Sequence, residues 1–350
     1  MVFIKGIGCV NALGNDINHV WSMLSENNSQ SKFDCKYPFL SYLRGSEKRR
    51  YSRQSDITLY TLEKAKEDYF EKTEKPKLDN KVGTIFSSNL GSIDVNIQFG
   101  EQVYDGEPGL CSPILFSNTV ANAPLTSVCL KNNYQGVSTM MMDSNEIIYS
   151  FDLIHEKKAK DIFCGFIEEY NKDLFDSYKA YYRKSKLQFA ESVTTFLIGE
   201  KQSKHESYCK IVALEEVNLL CDPWDDTEVY QKREEIENIM TVTLQNCLKR
   251  AKLEQVDAYI LGTENLLLNN YEVEVILRND NKSNIVTGIK ELFGDTGSGS
   301  FDINLLVGSL CIKHGIIPRC LLASNKGEIY SILISGISRT GNYYLAVLSK

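Results

Sequence analysis

The chain has 350 residues, 43% hydrophobic and 24% charged, the composition of an ordered globular protein long enough for two lobes. A formal net charge of -7 and an isoelectric point near 5.4 exclude a sequence-independent nucleic-acid binder, which needs a basic face for phosphates. The opening residues lack a basic segment followed by a long apolar one, and no run approaches the roughly 18 apolar residues of a membrane span. Cytoplasm is therefore the expected address, with neither nucleic acid nor membrane as a partner.

In chain order, Val2 to Val10 is a short apolar stretch broken by Gly6 and Gly8, followed by a turn at Asn11–Asp16 and an amphipathic stretch from Ile17 to Leu24. It reads as strand, turn, helix. Residues 25–55 read as an exposed polar connection, Ile57 to Tyr69 as a helix and Val82 to Ser87 as a strand. A long segment punctuated by Gly and Pro then runs to Asn122. A helix over Asn145 to Glu156, a buried strand over Lys160 to Glu168 and a strand over Ser192 to Ile198 complete the first half. The second half reads as a strand at Cys209–Val217, a long helix from Glu228 to Ala251 and a strand at Asp257–Leu261. A helix near Glu272, a Gly-rich turn at Gly294–Gly299, a helix over Phe301–Lys313 and strands at Ser331–Ser335 and Tyr343–Leu348 follow. Alternation of this kind predicts an α/β fold with mostly buried sheets.

The cysteines number ten, scattered singly without a CxxC pair. They read as free thiols, mostly buried; neither a metal site nor a cofactor is expected. Only His19, His155, His205 and His314 supply imidazoles, which narrows any catalytic reading. His155 reads as a solvated helix end, His314 as a turn residue and Cys164 as a small hydrophobe in an apolar strand.

Ordered segments over nearly the whole length are similar to the β-ketoacyl synthases. Lys5-Gly-Ile-Gly-Cys-Val-Asn-Ala-Leu-Gly14-Asn resembles the family's opening strand and turn. Ser112-Pro-Ile-Leu-Phe-Ser-Asn-Thr-Val-Ala-Asn122-Ala-Pro resembles the dimer-side segment before the nucleophile. Gly136 to Ser144 occupies the nucleophile elbow, Asp161 to Glu168 the strand after it, and Phe189-Ala-Glu191 part of a Phe-Ala-Glu-Gly signature. Val256-Asp-Ala-Tyr-Ile-Leu261-Gly262-Thr263 matches the strand and loop of the first catalytic histidine. Lys290-Glu-Leu-Phe-Gly294-Asp295-Thr296 fits the loop of the second, and His314-Gly-Ile-Ile-Pro318 the connection after it. The resemblance implies a thiolase-like fold: two pseudo-repeated αβαβα halves in a five-layered arrangement, divided as residues 1–205 and 206–350.

The family's Claisen condensation needs a low-pKa cysteine at a helix N-terminus and two histidines that polarise the thioester carbonyl. The register places the cysteine position at Met141, and no residue from Gly136 to Asn145 is cysteine. A thioether cannot form a nucleophilic thiolate. Leu261 stands in register with the first histidine and Asp295 with the second. An apolar side chain donates no hydrogen bond to a developing oxyanion, and a carboxylate repels it. Retained framework positions are Lys290, Glu272, Gly262, Thr263, Gly294, Thr296 and, in the altered C-terminal loop, Gly341 and Asn342.

Erased catalytic residues on a kept framework imply, by the same resemblance, a chain-length-factor subunit of a type II polyketide or aryl-polyene system. Such a subunit pairs as a heterodimer with a catalytic β-ketoacyl synthase, which meets an acyl carrier protein. Pro113, Phe116 and Asn122, with Met140, Met141 and Met142, are then interface or tunnel-lining candidates; the methionines equally suit core packing. Two other classes stand beside this one. One is a homodimeric scaffold that binds an acyl chain or carrier protein. The other is an acyltransferase or hydrolase with a relocated nucleophile such as Ser138 or Ser144, which needs a nearby base.

Overall fold

A computed structural model describes residues 1–26, 35–73, 78–106, 108–181, 189–200, 207–262, 265–280, 282–322 and 327–350. Ten strands form the sheet framework: β1 (Val2–Val10), β2 (Gly83–Ser88), β3 (Ser138–Met142), β4 (Asp161–Glu168), β5 (Ser192–Gly199), β6 (Cys209–Asn218), β7 (Ala258–Ile260), β8 (Asn284–Val286), β9 (Ser331–Ile337) and β10 (Asn342–Ser349). Their spatial order is β3-β2-β4-β5-β1-β6-β10-β9-β7-β8. Each strand of the first five has its counterpart five strands later, so the order reads as a motif and its mirror. The seam is the short antiparallel pairing of β1 with β6, from Val2 opposite Ile211 to Ile4 opposite Cys209. The boundary read between residues 205 and 206 lies outside the described residues.

Both faces of each half-sheet are buried, and side chains alternate between two cores with a period of two. On β10, Tyr344, Ala346 and Leu348 enter a central core while Tyr343, Leu345 and Val347 enter an outer one. On β4, Ile162 and Cys164 face the centre while Phe163 and Ile167 face the first half's outer core. Two helices fill the centre. Glu146–His155 carries Ile147, Leu153 and Ile154 into it, and Ser300–His314 is buried from Ser300 to Ile312. Helices Arg53–Lys72 and Ala123–Asn132 cover the outside of the first half; Arg233–Ala251 and Leu266–Asn279 cover the second. The layers therefore run helix, sheet, helix, sheet, helix, as the fold reading expected.

The outer layer of the first half sits close because β1 offers no side chain at two positions. A Cβ on Gly6 would lie 2.1 Å from the Ala65 carbonyl oxygen, and one on Gly8 would lie 2.0 Å from that of Thr61. The expected long helix over 228–251 is instead two, Asp226–Gln231 and Arg233–Ala251, parted at Lys232, whose ψ of 15° leaves the helical region. No helix among the described residues is long and apolar enough to cross a membrane.

Candidate functional site

Strand β3 pairs with β2 in parallel, Thr84 opposite Ser138 through Ser88 opposite Met142, and its other side is the open edge of the sheet. The methionine run is split by the strand's alternation. Met140 packs on the outer core, Met141 on the central core, and Met142 stands 56% exposed. The chain then reverses at Asp143, with φ at 74°, and its N–H donates to the Ser88 carbonyl at 3.3 Å. Asp tolerates this left-handed conformation better than most residues. The sharp turn of the elbow is thus at Asp143, two residues beyond Met141, the position expected from the sequence register. Met141 is a strand residue with a packing role.

Asp143 does not project a free carboxylate. Ser298 Oγ donates to Oδ1 at 2.6 Å, Asn342 Nδ2 donates to Oδ2 at 3.2 Å, and Thr340 Oγ1 donates to the same oxygen. Ser298 Oγ in turn accepts the Arg339 N–H at 3.0 Å. The elbow, the loop after Gly294 and the C-terminal loop are therefore tied through one side chain. Asn342, a retained framework residue, is one of its ties; Gly341, with φ at 83°, turns the same loop and accepts the Leu219 N–H at 2.8 Å.

The second expected position has a different fate. Leu261 is fully buried in the outer core of the second half with Tyr259, Leu268 and Val275, its N–H donating to the Val286 carbonyl at 2.9 Å. It faces away from the elbow's core. At Gly262 a Cβ would fall 1.8 Å from Asn304 Nδ2, which donates to the Ser335 carbonyl at 2.7 Å. Glycine is kept there because an asparagine lies across it. Thr263 lies outside the described residues. Asp295 is 1% exposed; Oδ1 accepts the Gly297 N–H at 2.8 Å and its carbonyl accepts the Ala190 N–H at 2.8 Å. Gly294 and Thr296 flank it in the same buried loop. Glu272 receives the Tyr343 hydroxyl at 2.7 Å; burial pushes its carboxyl up to about 7 while the Lys290 charge pulls the other way.

Three charged features near the elbow escaped the sequence reading. Glu146 and Asp302, both wholly buried, meet at the N-terminal ends of the two central helices. Glu168, pushed up to about 8 by burial, accepts the Asn89 N–H at 2.9 Å. The Arg339 guanidinium stacks over Tyr178 at 4.5 Å and over Phe189 and Trp224 at 5.4 Å. The available signal was a lone acidic residue inside an apolar helix, Phe301-Asp302-Ile303.

No family model and no curated protein matches the sequence. Solved structures do match over the whole length. One, described as the ishigamide ketosynthase/chain length factor, aligns with a TM-score of 0.76 at 14% identity, covering 100% of this chain and 98% of that one. A second is a type II polyketide synthase acyl-carrier protein in complex with its ketosynthase bound to the hexaketide. It aligns at 0.76 and 15% identity, covering 99% and 98%. A third, a β-ketoacyl synthase from Burkholderia phymatum STM815, aligns at 0.75 and 15% identity, covering 100% and 99%. This chain has the β-ketoacyl synthase fold.

Within that fold the elbow offers no thiolate. Cys164, on neighbouring β4, is buried, and desolvation together with Glu146 drives its thiol well above the ordinary range. The described histidines sit far from the elbow. His155 ends its helix about 13 Å along the axis from Glu146, and His314 ends the other about 18 Å from Asp302. His314 is stacked on Trp21 at 4.0 Å, and His19 is exposed on helix Ile17–Ser25. His205 lies outside the described residues. Ser144 is buried with its hydroxyl unpartnered, and exposed Ser138 meets only the Cys129 sulfur, at 3.4 Å. Among the described residues neither serine has the adjacent base that an acyl-transfer nucleophile needs.

The segment that leads into helix Ala123–Asn132, which packs on β2 and β3, has an apolar surface. Phe116 is 61% exposed and touches Phe99 at 5.3 Å between centroids. Ile114, Val120, Leu110 and Tyr104 are exposed with it. Ser112 caps the Pro113–Ser117 helix through the Leu115 N–H, and Asn122 precedes the next helix, Ala123–Asn132.

Proposed function

We propose that this chain is a non-catalytic, chain-length-factor-like subunit that pairs with an active β-ketoacyl synthase and helps shape the tunnel for its growing acyl or polyketide chain. The observation that carries the reading is the elbow. Its turn residue is a carboxylate bonded to three donors, which is a structural tie and the wrong charge for a site that develops an oxyanion. A fold with its reactive corner bound up in this way suits a partner subunit better than an enzyme.

Support for the partner comes from β3. An edge strand reading Ser-Thr-Met-Met-Met has no charge, proline or bulge to block pairing, and its last residue, Met142, is exposed, as is Phe116 in the segment before the helix that packs on β3. Addition of the partner's equivalent strand would continue the sheet across the dimer, with Pro113, Phe116, Asn122 and the methionines at or near the contact. The catalytic subunit supplies cysteine and histidines and receives the acyl carrier protein. We assign residues 1–205 to the half that makes this contact and 206–350 to the half that carries the degenerate histidine loops.

Co-expression with a catalytic β-ketoacyl synthase from the same source tests the reading. A stable 1:1 complex that makes carrier-bound product is expected, with product length altered by Phe116→Ala. A homodimer that ignores the synthase would favour the scaffold reading, and malonyl-carrier turnover by the chain alone would favour a relocated nucleophile.

A further inference from the structure

The central layer contains a carboxyl pair that packing does not explain. Glu146 is the first residue of helix Glu146–His155 and Asp302 lies in the first turn of helix Ser300–His314. They come from opposite halves of the fold and are 0% exposed. Their carboxyl groups are in hydrogen-bonding contact with each other. Ser87 Oγ donates to Glu146 Oε2. Among the described residues, no side-chain donor reaches Glu146 Oε1 or either Asp302 oxygen, and no lysine or arginine is ion-paired with the pair. The titratable groups facing it are Asp143 at the elbow, the Cys164 thiol on β4 and the Tyr344 phenol on β10. None is a cation.

Backbone N–H groups, that of Phe166 among them, reach the pair, but two charged carboxylates in contact, out of water and without a counter-ion, still repel strongly. A proton between them removes one charge and supplies the missing hydrogen bond. The single negative charge that remains sits at two helix N-termini, whose dipoles favour an anion. We propose that Glu146 and Asp302 share one proton and form an alkali-sensitive latch between the two halves of the fold. Loss of that proton drives the two helices apart. Helix Glu146–His155 follows directly from β3 and the Asp143 turn, so the latch also sets how firmly the open edge is held. Burial pushes both groups up from their ordinary values; Glu146 pushes Asp302 up further, while the hydrogen bond with Asp302 pulls Glu146 back down, in keeping with the geometry.

A carboxyl group whose folded-state value is raised stabilises the fold below its unfolded value, and that contribution is lost as pH rises through the folded value. Stability therefore falls toward alkaline pH, by about tenfold in the unfolding constant per pH unit for each proton retained only by the folded chain. Denaturant unfolding of the wild type, Glu146→Gln and Asp302→Asn from pH 6 to 9 reads this directly. Both variants are expected to lose about one proton's worth of slope. Equal slopes in all three overturn the latch. Should neither variant fold, infrared spectra in heavy water are taken on a Glu168→Gln/Glu272→Gln background, which removes the two other carboxyls that burial pushes up to about 8 and about 7. A protonated-carboxyl band at neutral pH that disappears at alkaline pH is expected; its absence overturns the proposal. A further consequence, weaker pairing with the synthase at alkaline pH, rests on the proposed docking through β3. If unfolding shows the latch while pairing ignores pH, the docking reading fails and the latch stands.

Discussion

The elbow at Asp143 and the strand end at Leu261 hold non-reactive residues in two physically different ways. At the elbow the replacement is polar and has been wired into its surroundings, binding Ser298, Thr340 and Asn342. At the strand end the replacement is apolar and has been absorbed into the outer core, where strand alternation turns it toward Tyr259 and Leu268. One corner became a clamp and the other became filling. Restoring the family's residue at either corner should therefore fail for different reasons.

The largest effect is expected at the filled corner. Leu261→His places an imidazole among apolar side chains with no partner, at a cost of about 3 kcal/mol, visible as a large drop in Tm; an unchanged Tm would mean the corner is still an open site. Asp143→Ala leaves three donors without their acceptor and should cost about 1 to 2 kcal/mol in urea unfolding. Asp143→Asn keeps an acceptor and should cost less. Asp143→Cys should produce no condensation of malonyl-carrier substrate, since no imidazole among the described residues stands near it.

The two corners also differ in where pH acts. Glu272, beside the filled corner, is raised to about 7, and Glu168, near the clamp, to about 8, both chiefly by burial. Each contributes stability in acid that is lost as pH rises through its own value. Glu272→Gln should flatten the stability profile near pH 7 and Glu168→Gln near pH 8, as measured by Tm against pH. The smallest effect on the isolated chain is expected from Met142→Lys, within about 0.5 kcal/mol because the side chain is exposed. That change should nevertheless abolish pairing with the synthase.

The sequence made the long buried strands legible because β4 and β10 are nearly continuous apolar runs, which is how strands covered on both faces appear, and β5 is one in its second half, Phe196-Leu-Ile198. The layered fold came from ordered family segments, not from periodicity. Helix Ile93–Asp105 was lost inside a segment read only as punctuation by Gly and Pro, helix Ala123–Asn132 begins where that segment ends and was given no element, and the three-residue β8 is too short to leave a pattern. At the elbow, three methionines in a row look like a place for the nucleophile, whereas Asp143-Ser-Asn145 carries the turn chemistry. Sequence register and backbone geometry disagree there by two residues. The Glu146–Asp302 contact joins residues 156 positions apart by number and has no local signature.

Native mass spectrometry of the chain co-expressed with a catalytic β-ketoacyl synthase from the same source, beside the Met142→Lys variant, tests the central claim most directly. A 1:1 heterodimer with the wild type, lost in the variant while the variant's fold and Tm are unchanged, is the expected result. A wild-type chain that stays monomeric or pairs only with itself in the presence of the synthase would contradict it.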